Sequence, residues 1–138
     1  MNRGLNSGVI WVVTLVAMLA LDSGWLLLVA NDMFRAALGG VMRTSPDLGA
    51  AAAFYLIYAA GIVVLAVMPS VKAASVREAA LRGAALGLTA YATFDLSNLA
   101  VIRGWTAGIA LADMAWGTFA TAAAAAVGAS AGHYLRRR

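Results

Sequence analysis

Two stretches of this chain, 48–71 and 114–135, contain no Asp, Glu, Lys or Arg. Each exceeds the roughly 20 residues that a helix needs to cross a bilayer. Two more, 9–30 and 79–102, have the same apolar character but are interrupted by Asp22 in the first and by Asp95, with Arg82 near the start, in the second. Four crossings account for nearly all of the 138 residues and leave no room for a second domain. With 63% hydrophobic and 12% charged residues, a soluble domain of this size has too little interior, so lipid must serve as the solvent. The expected fold is an all-α integral membrane protein, a single domain over 1–138, with four transmembrane helices in an antiparallel bundle.

Several function classes fall away on composition. The chain has no cysteine, which excludes disulfides and thiolate chemistry. Its lone histidine, His133, sits beside the terminal arginines as an interfacial residue, and one histidine does not make a zinc site. The net charge of +4 does not point to nucleic acid, because the arginines cluster at helix ends where they meet headgroups. Arg3 ahead of an apolar run resembles a signal peptide. The run resumes after Asp22-Ser23-Gly24 and reaches Ala30, so it reads as a full span.

The helices are expected at about 8–30, 47–68, 76–102 and 107–134. Between the first two, Met33, Phe34, Ala37, Leu38 and Val41 share one helical face, which predicts a short interfacial helix. Ser45-Pro46-Asp47 opens the second helix, which is expected to stop near Pro69. Ser75-Val76-Arg77-Glu78 has the spacing of a capping box for the third, Trp105 is placed as an interfacial anchor, and Thr106 caps the fourth. Four crossings put both termini on one side, with Arg3, Lys72, Arg77, Arg82 and Arg136 to Arg138. The other side holds Arg35, Arg43 and Arg103. The positive-inside rule then makes both termini cytoplasmic.

Half of the six acidic residues lie inside these spans. Counted at about 1.5 Å per residue, Asp22 sits roughly 12 Å from the outer end of its helix, Asp95 roughly 10 Å and Asp113 roughly 9 Å. Three helices thus deliver carboxyl groups to one layer, which the second helix passes near Phe54, Tyr55 and Tyr58. Each aspartate has a polar partner at i+3, on its own helix face: Trp25, Asn98 and Trp116. Tyr91 shares the Asp95 face. A charged aspartate in mid-helix costs about 3 kcal/mol on the insertion scale, so three cost roughly 9 before compensation. Such groups mark functional sites by default. The compensation is protonation of one or two of the three neighbouring carboxyl groups, pairing with Arg35 or Arg103, a bound cation, or a wet cavity. Three Asp plus Asn98 are hard oxygen donors that suit Mg²⁺ or Ca²⁺ rather than zinc, but the spacing brings no set to bonding distance, so no metal ligand is assigned. No catalytic residue and no cofactor can be named.

The strings Ala20-Leu21-Asp22-Ser-Gly-Trp25-Leu26, Phe54-Tyr55-Leu-Ile-Tyr58-Ala59-Ala60-Gly61, Ala90-Tyr91-Ala92-Thr93-Phe94-Asp95-Leu96-Ser97-Asn98-Leu99-Ala100, Arg103-Gly104-Trp105 and Asp113-Met-Ala-Trp116-Gly117 resemble the bacterial membrane-protein family called domain of unknown function 2177. The likeness runs from about residue 9 to 130. One departure is Phe94, where the family leads one to expect Tyr. The resemblance implies a four-helix protein of the bacterial inner membrane and supplies no activity.

Three readings stay open. The first is an outer-facing pocket for a small ligand, a cation or a proton, built from Asp22, Trp25, Tyr55, Tyr58, Tyr91, Asp95, Asn98, Asp113 and Trp116. The second is an accessory subunit or homodimer docking through its glycine faces, Gly83-x-x-x-Gly87 and Gly128-x-x-x-Gly132, with the aspartates bonding its own helices together. The same glycines equally serve packing within one bundle. The third is a membrane enzyme acting on lipid or isoprenoid, the weakest because no histidine or nucleophile motif accompanies the acids.

Overall fold

The computed structural model describes residues 3–138, with side chains described from Asn6 onward; the cation expected at the Arg3 side chain lies outside that range. Among the described residues there is helix and turn and no strand. Helix α1 (Arg3–Trp25) passes through a π-helical turn (Leu26–Ala30) into α2 (Asn31–Leu38) and a 3₁₀ turn (Gly39–Val41). Helix α3 (Leu48–Ile62) passes through a second π turn (Val63–Val67) into α4 (Met68–Lys72). Two long helices follow, α5 (Val76–Val101) and α6 (Ala107–Arg136).

Three helical stretches are long and apolar enough to cross a membrane: Asn6–Val41, Leu48–Lys72 and Ala107–Arg136. Helix α5 is not among them, although its 26 residues reach about 39 Å at 1.5 Å per residue. Arg82, Thr89, Tyr91, Thr93, Asp95, Ser97 and Asn98 dilute its apolar character.

The helix ends explain themselves locally. Asp47, Ser75 and Thr106 each accept a hydrogen bond from the backbone N–H three residues on, at 3.0, 3.1 and 3.2 Å. The cap of α3 is therefore Asp47 rather than Ser45. Only half of a capping box forms at α5, because Glu78 turns to Arg82 at 2.8 Å instead of back to Ser75. Two expected boundaries are corrected. The first helix does not end at Ala30: Ala30 and Asn31 keep right-handed helical angles. No Gly or Pro interrupts the chain until Gly39, whose φ of +54° ends it. The segment expected as a separate interfacial helix is thus an extension of the first. The second helix does not stop at Pro69 but runs to Lys72. A proline ring clashes with the carbonyl four residues back. The π turn just before it adds a residue, and Met68 N–H reaches back to the Val63 carbonyl.

The core lies where α1, the second π turn, α5 and α6 meet. It is built from Met18, Ile62, Val67, Ala79, Ala124 and Ala129. Small residues bring the backbones together. A Cβ added at Gly83 would stand 2.8 Å from Ala125 Cβ and from the Thr121 carbonyl, and one at Gly87 would collide with the Gly117 carbonyl. Gly128 faces Thr14 and Val67, and Gly132 faces Val71 and Ile10. All four glycines are buried, so the faces considered as docking surfaces are occupied by the chain itself.

Replacing Gly87 by Leu should therefore cost about 3 kcal/mol or more, the upper range of overpacking. Gly61, whose added Cβ meets nothing within 4 Å, should accept Leu within about 0.5 kcal/mol. Unfolding in mixed detergent–SDS micelles measures both; equal stability of the two variants would contradict the packing described.

Candidate functional site

Asp22, Asp95 and Asp113 are 5%, 0% and 4% exposed, too deeply buried for water to solvate their charge. Asp22 and Asp113 are held by an exchange between α1 and α6. Asp22 and Trp25 lie three residues apart on α1, as do Asp113 and Trp116 on α6. The Trp116 indole donates to Asp22 Oδ1 at 2.9 Å, and the Trp25 indole donates to Asp113 Oδ1 at 3.0 Å. Each tryptophan thus serves the other helix's acid rather than its own i+3 neighbour. The two indoles stack at 5.0 Å between centroids, 4° from parallel. Tyr55 of α3 adds a second donor to Asp22, at 2.9 Å to Oδ2.

The remaining phenols gather around this pair. Tyr58 shares a hydrogen bond of 2.7 Å with Thr121. Tyr91 lies edge-on to Tyr58 at 6.4 Å, and its ring lies over Gly117, where any Cβ would collide with it. Its hydroxyl is within electrostatic reach of Asp22, Asp113, Tyr55 and Tyr58.

Asp95 is set apart. It lies within side-chain hydrogen-bonding reach of Asp113 and of the Trp105 indole, although neither oxygen meets either neighbour at full hydrogen-bond geometry. Trp105 is corrected from an interfacial anchor to an interior residue, only 4% exposed. It stacks on Phe34 of α2 at 5.2 Å and meets Phe94 edge-on at 5.6 Å. The turn carrying it fits against α2, since a side chain at Gly104 would strike the Ala37 carbonyl.

A cavity of about 450 Å³ opens beside these groups, within the usual range of small-molecule clefts. Asp22, Trp25 and Leu26 line it from α1, and Phe34 from α2. Ala51, Phe54, Tyr55 and Tyr58 line it from α3, Ala90, Tyr91 and Phe94 from α5, and Asp113 from α6. Six of the nine expected site residues are therefore on its wall: Asp22, Trp25, Tyr55, Tyr58, Tyr91 and Asp113. Trp116 stands behind Asp22, and Asp95 stands behind Asp113. Asn98 is off the wall; its carbonyl receives the Ile102 N–H at the end of α5.

The expected pairing with Arg35 or Arg103 is also corrected. Among the described residues the ion pairs join Arg43 to Asp47 and Arg82 to Glu78, so the buried acids have no cation. No group of three His, Cys, Asp or Glu among the described residues is placed to hold a metal ion. Reading the sequence missed Phe34, Leu26, Ala51, Ala90 and Thr121. Thr121 had a signal, since it continues the buried series Asp113, Gly117, Ala120, Thr121, Ala124 at helical spacing. Phe34 had none, because its role depends on α2 continuing α1.

Apolar helices of membrane-crossing length around an acid-and-aromatic cavity define an all-helical transmembrane protein. Residues 7–130 match the family described as "Predicted membrane protein (DUF2177)", and the chain belongs to that family. No curated protein and no solved structure matches it.

The exchange predicts a specific pattern of coupling. In double-mutant cycles on micellar stability, Trp25→Phe with Asp113→Asn should couple by about 1 kcal/mol, as polar contacts in membrane bundles do. Trp25→Phe with Ser70→Ala, whose hydroxyl bonds its own helix at Ala66, should couple by no more than a few tenths. The reverse order of couplings would remove the exchange.

Proposed function

We propose that this protein is a four-crossing binding module of the bacterial inner membrane, with a pocket in the outer half of the bilayer for a small ligand. The observation that carries this reading is the position of Asp22 and Asp113 on the wall of an open cavity. Acids that only bonded helices together would be sealed among side chains. Here a space of about 450 Å³ remains beside them, and they have no cationic partner. The arrangement favours the first reading over an accessory subunit, because the glycine faces are filled from within. Among the described residues the Tyr55 hydroxyl on Asp22 is the one hydroxyl–acid pair on the wall, and no histidine accompanies it, so the binding reading is favoured over the enzyme reading.

The fourth crossing is α5. Its contacts with α6, Gly83 to Ala125 and Gly87 to Gly117, run in opposite chain directions. So do those of α1 with α6, from Ile10 against Gly132 to Trp25 against Asp113. The polar atoms that keep α5 from reading as a span face other helices in part: Asp95 is fully buried and Tyr91 lies on Gly117. These contacts support one antiparallel bundle and one domain. The charge bias, seven cations on the side of the termini against three on the other, supports cytoplasmic termini. In this topology α2 extends the first span to 36 residues, about 54 Å of helix. That exceeds the hydrocarbon thickness, so its end stands at the outer surface.

The absence of cysteine makes topology simple to test. In intact cells an impermeant maleimide should label Thr44→Cys, and should label Ala73→Cys only after permeabilisation. The opposite pattern would invert the orientation. For the pocket itself, native mass spectrometry of protein extracted from its own membranes should show a retained small mass. Ala90→Trp, which fills the cavity, and Asp113→Asn should each lose it. The same masses on all three proteins, or none on any, would overturn the pocket.

A further inference from the structure

The wall of the cavity is one-sided in its chemistry. Its charged members are Asp22 and Asp113, and neither Lys, Arg nor His lines it. An anionic group brought there would meet two carboxylates with little water to screen them. A neutral group would bring no charge to offset that of an ionised acid. Asp95, fully buried, stands directly behind Asp113 and within hydrogen-bonding reach of it.

The hydrogen-bond inventory points the same way. Asp22 accepts one bond on each oxygen, and Asp113 accepts one on Oδ1. A carboxylate offers about four acceptor sites, so each of the two keeps acceptor capacity beyond these bonds. An occupant that brings several donors and a positive charge matches them, and an ammonium group brings three N–H donors. The aromatic faces around the acids attract a cation as well.

The other end of the cavity is apolar and faces sideways. Helix α5 packs closely on the second π turn and meets α3 through the edge-on rings of Tyr91 and Tyr58, with the cavity beside that contact. Ala51 and Phe54 line it on one side, and Ala90 and Phe94 on the other. Phe54 and Phe94 are 46% and 50% exposed. In the proposed topology these rings stand at the level of lipid chains, where no polar path leads in.

Resting on the pocket reading above, we infer that the occupant is a single-chain amphiphile with a primary ammonium head, admitted sideways from the outer leaflet between α3 and α5. The head reaches Asp22 and Asp113. The chain trails out between Phe54 and Phe94.

The test uses the full chain in lipid nanodiscs on a Trp11→Phe background, so that fluorescence reports chiefly on Trp25, Trp116 and Trp105. Three quenchers are compared at equal membrane concentration: 12-bromododecylamine, 12-bromododecanol and 2-bromoethylamine. The long amine should quench saturably at a concentration about tenfold below that of the alcohol, a ratio of about 1.4 kcal/mol. The short amine should not quench. Asp22→Asn should erase the preference for the amine. Ala51→Leu with Ala90→Leu, which narrows the slot and leaves the acids alone, should erase saturable quenching. Equal quenching by alcohol and amine overturns the ammonium head, and equal quenching by the short amine overturns the sideways slot. In both of those cases the pocket stands. Quenching that is unsaturable for every probe, or indifferent to the paired leucines, overturns the pocket together with the inference.

Discussion

A carboxyl group carried into lipid has to find its partners inside the protein, because no water is there to supply them. The exchange between Asp22–Trp25 and Asp113–Trp116 is how this chain meets that demand. Each indole N–H reaches across to the opposite helix, at 2.9 and 3.0 Å. A tryptophan serving its own helix's acid would satisfy the carboxyl and join nothing. Crossing over makes the same two hydrogen bonds fix the register of α1 against α6. The stacked indoles then hold the pair from sliding, since stacking at 5.0 Å is lost if either helix shifts by a turn.

The close approach of α5 and α6 depends on having almost no side chain between them. Gly83 and Gly87 on one helix meet Gly117, Thr121 and Ala125 on the other. In lipid there is little hydrophobic drive to bring helices together, so contact at this range supplies van der Waals energy that bulkier residues would forfeit. Gly117 has a second part. Its missing Cβ is the place where the Tyr91 ring lies, which puts a phenol on the cavity wall beside the acids. Packing and site are thus shaped by the same glycine.

Both π turns fall next to this region. π turns commonly accompany functional sites, and here each has an identifiable effect. The second accommodates Pro69 and packs Val63, Ala66 and Val67 into the core. The first follows Trp25 directly, leaves Leu27 and Leu28 largely exposed, and continues into α2, whose Phe34 stacks on Trp105 and lines the cavity.

Much of this was legible in advance. The apolar runs and the capping residues Ser75 and Thr106 locate the long helices, because backbone in lipid has few alternatives to helix. Depth, counted along each helix, brings Asp22, Asp95 and Asp113 to one layer together with Tyr55 and Tyr58. The mistakes share one cause. Trp105 was expected at the interface and is interior, Asn98 is off the cavity wall, and the indoles expected to serve the aspartates of their own helices serve those of the opposite helix instead. Residue order sets how deep a side chain lies. It does not set how a helix is rotated about its axis, nor whether α2 folds away or continues α1. Those follow from which small residues let two backbones touch, as Gly83 and Gly87 do with Gly117 and Ala125. Only when the helices are packed does a layer of acids become a wall with a space beside it.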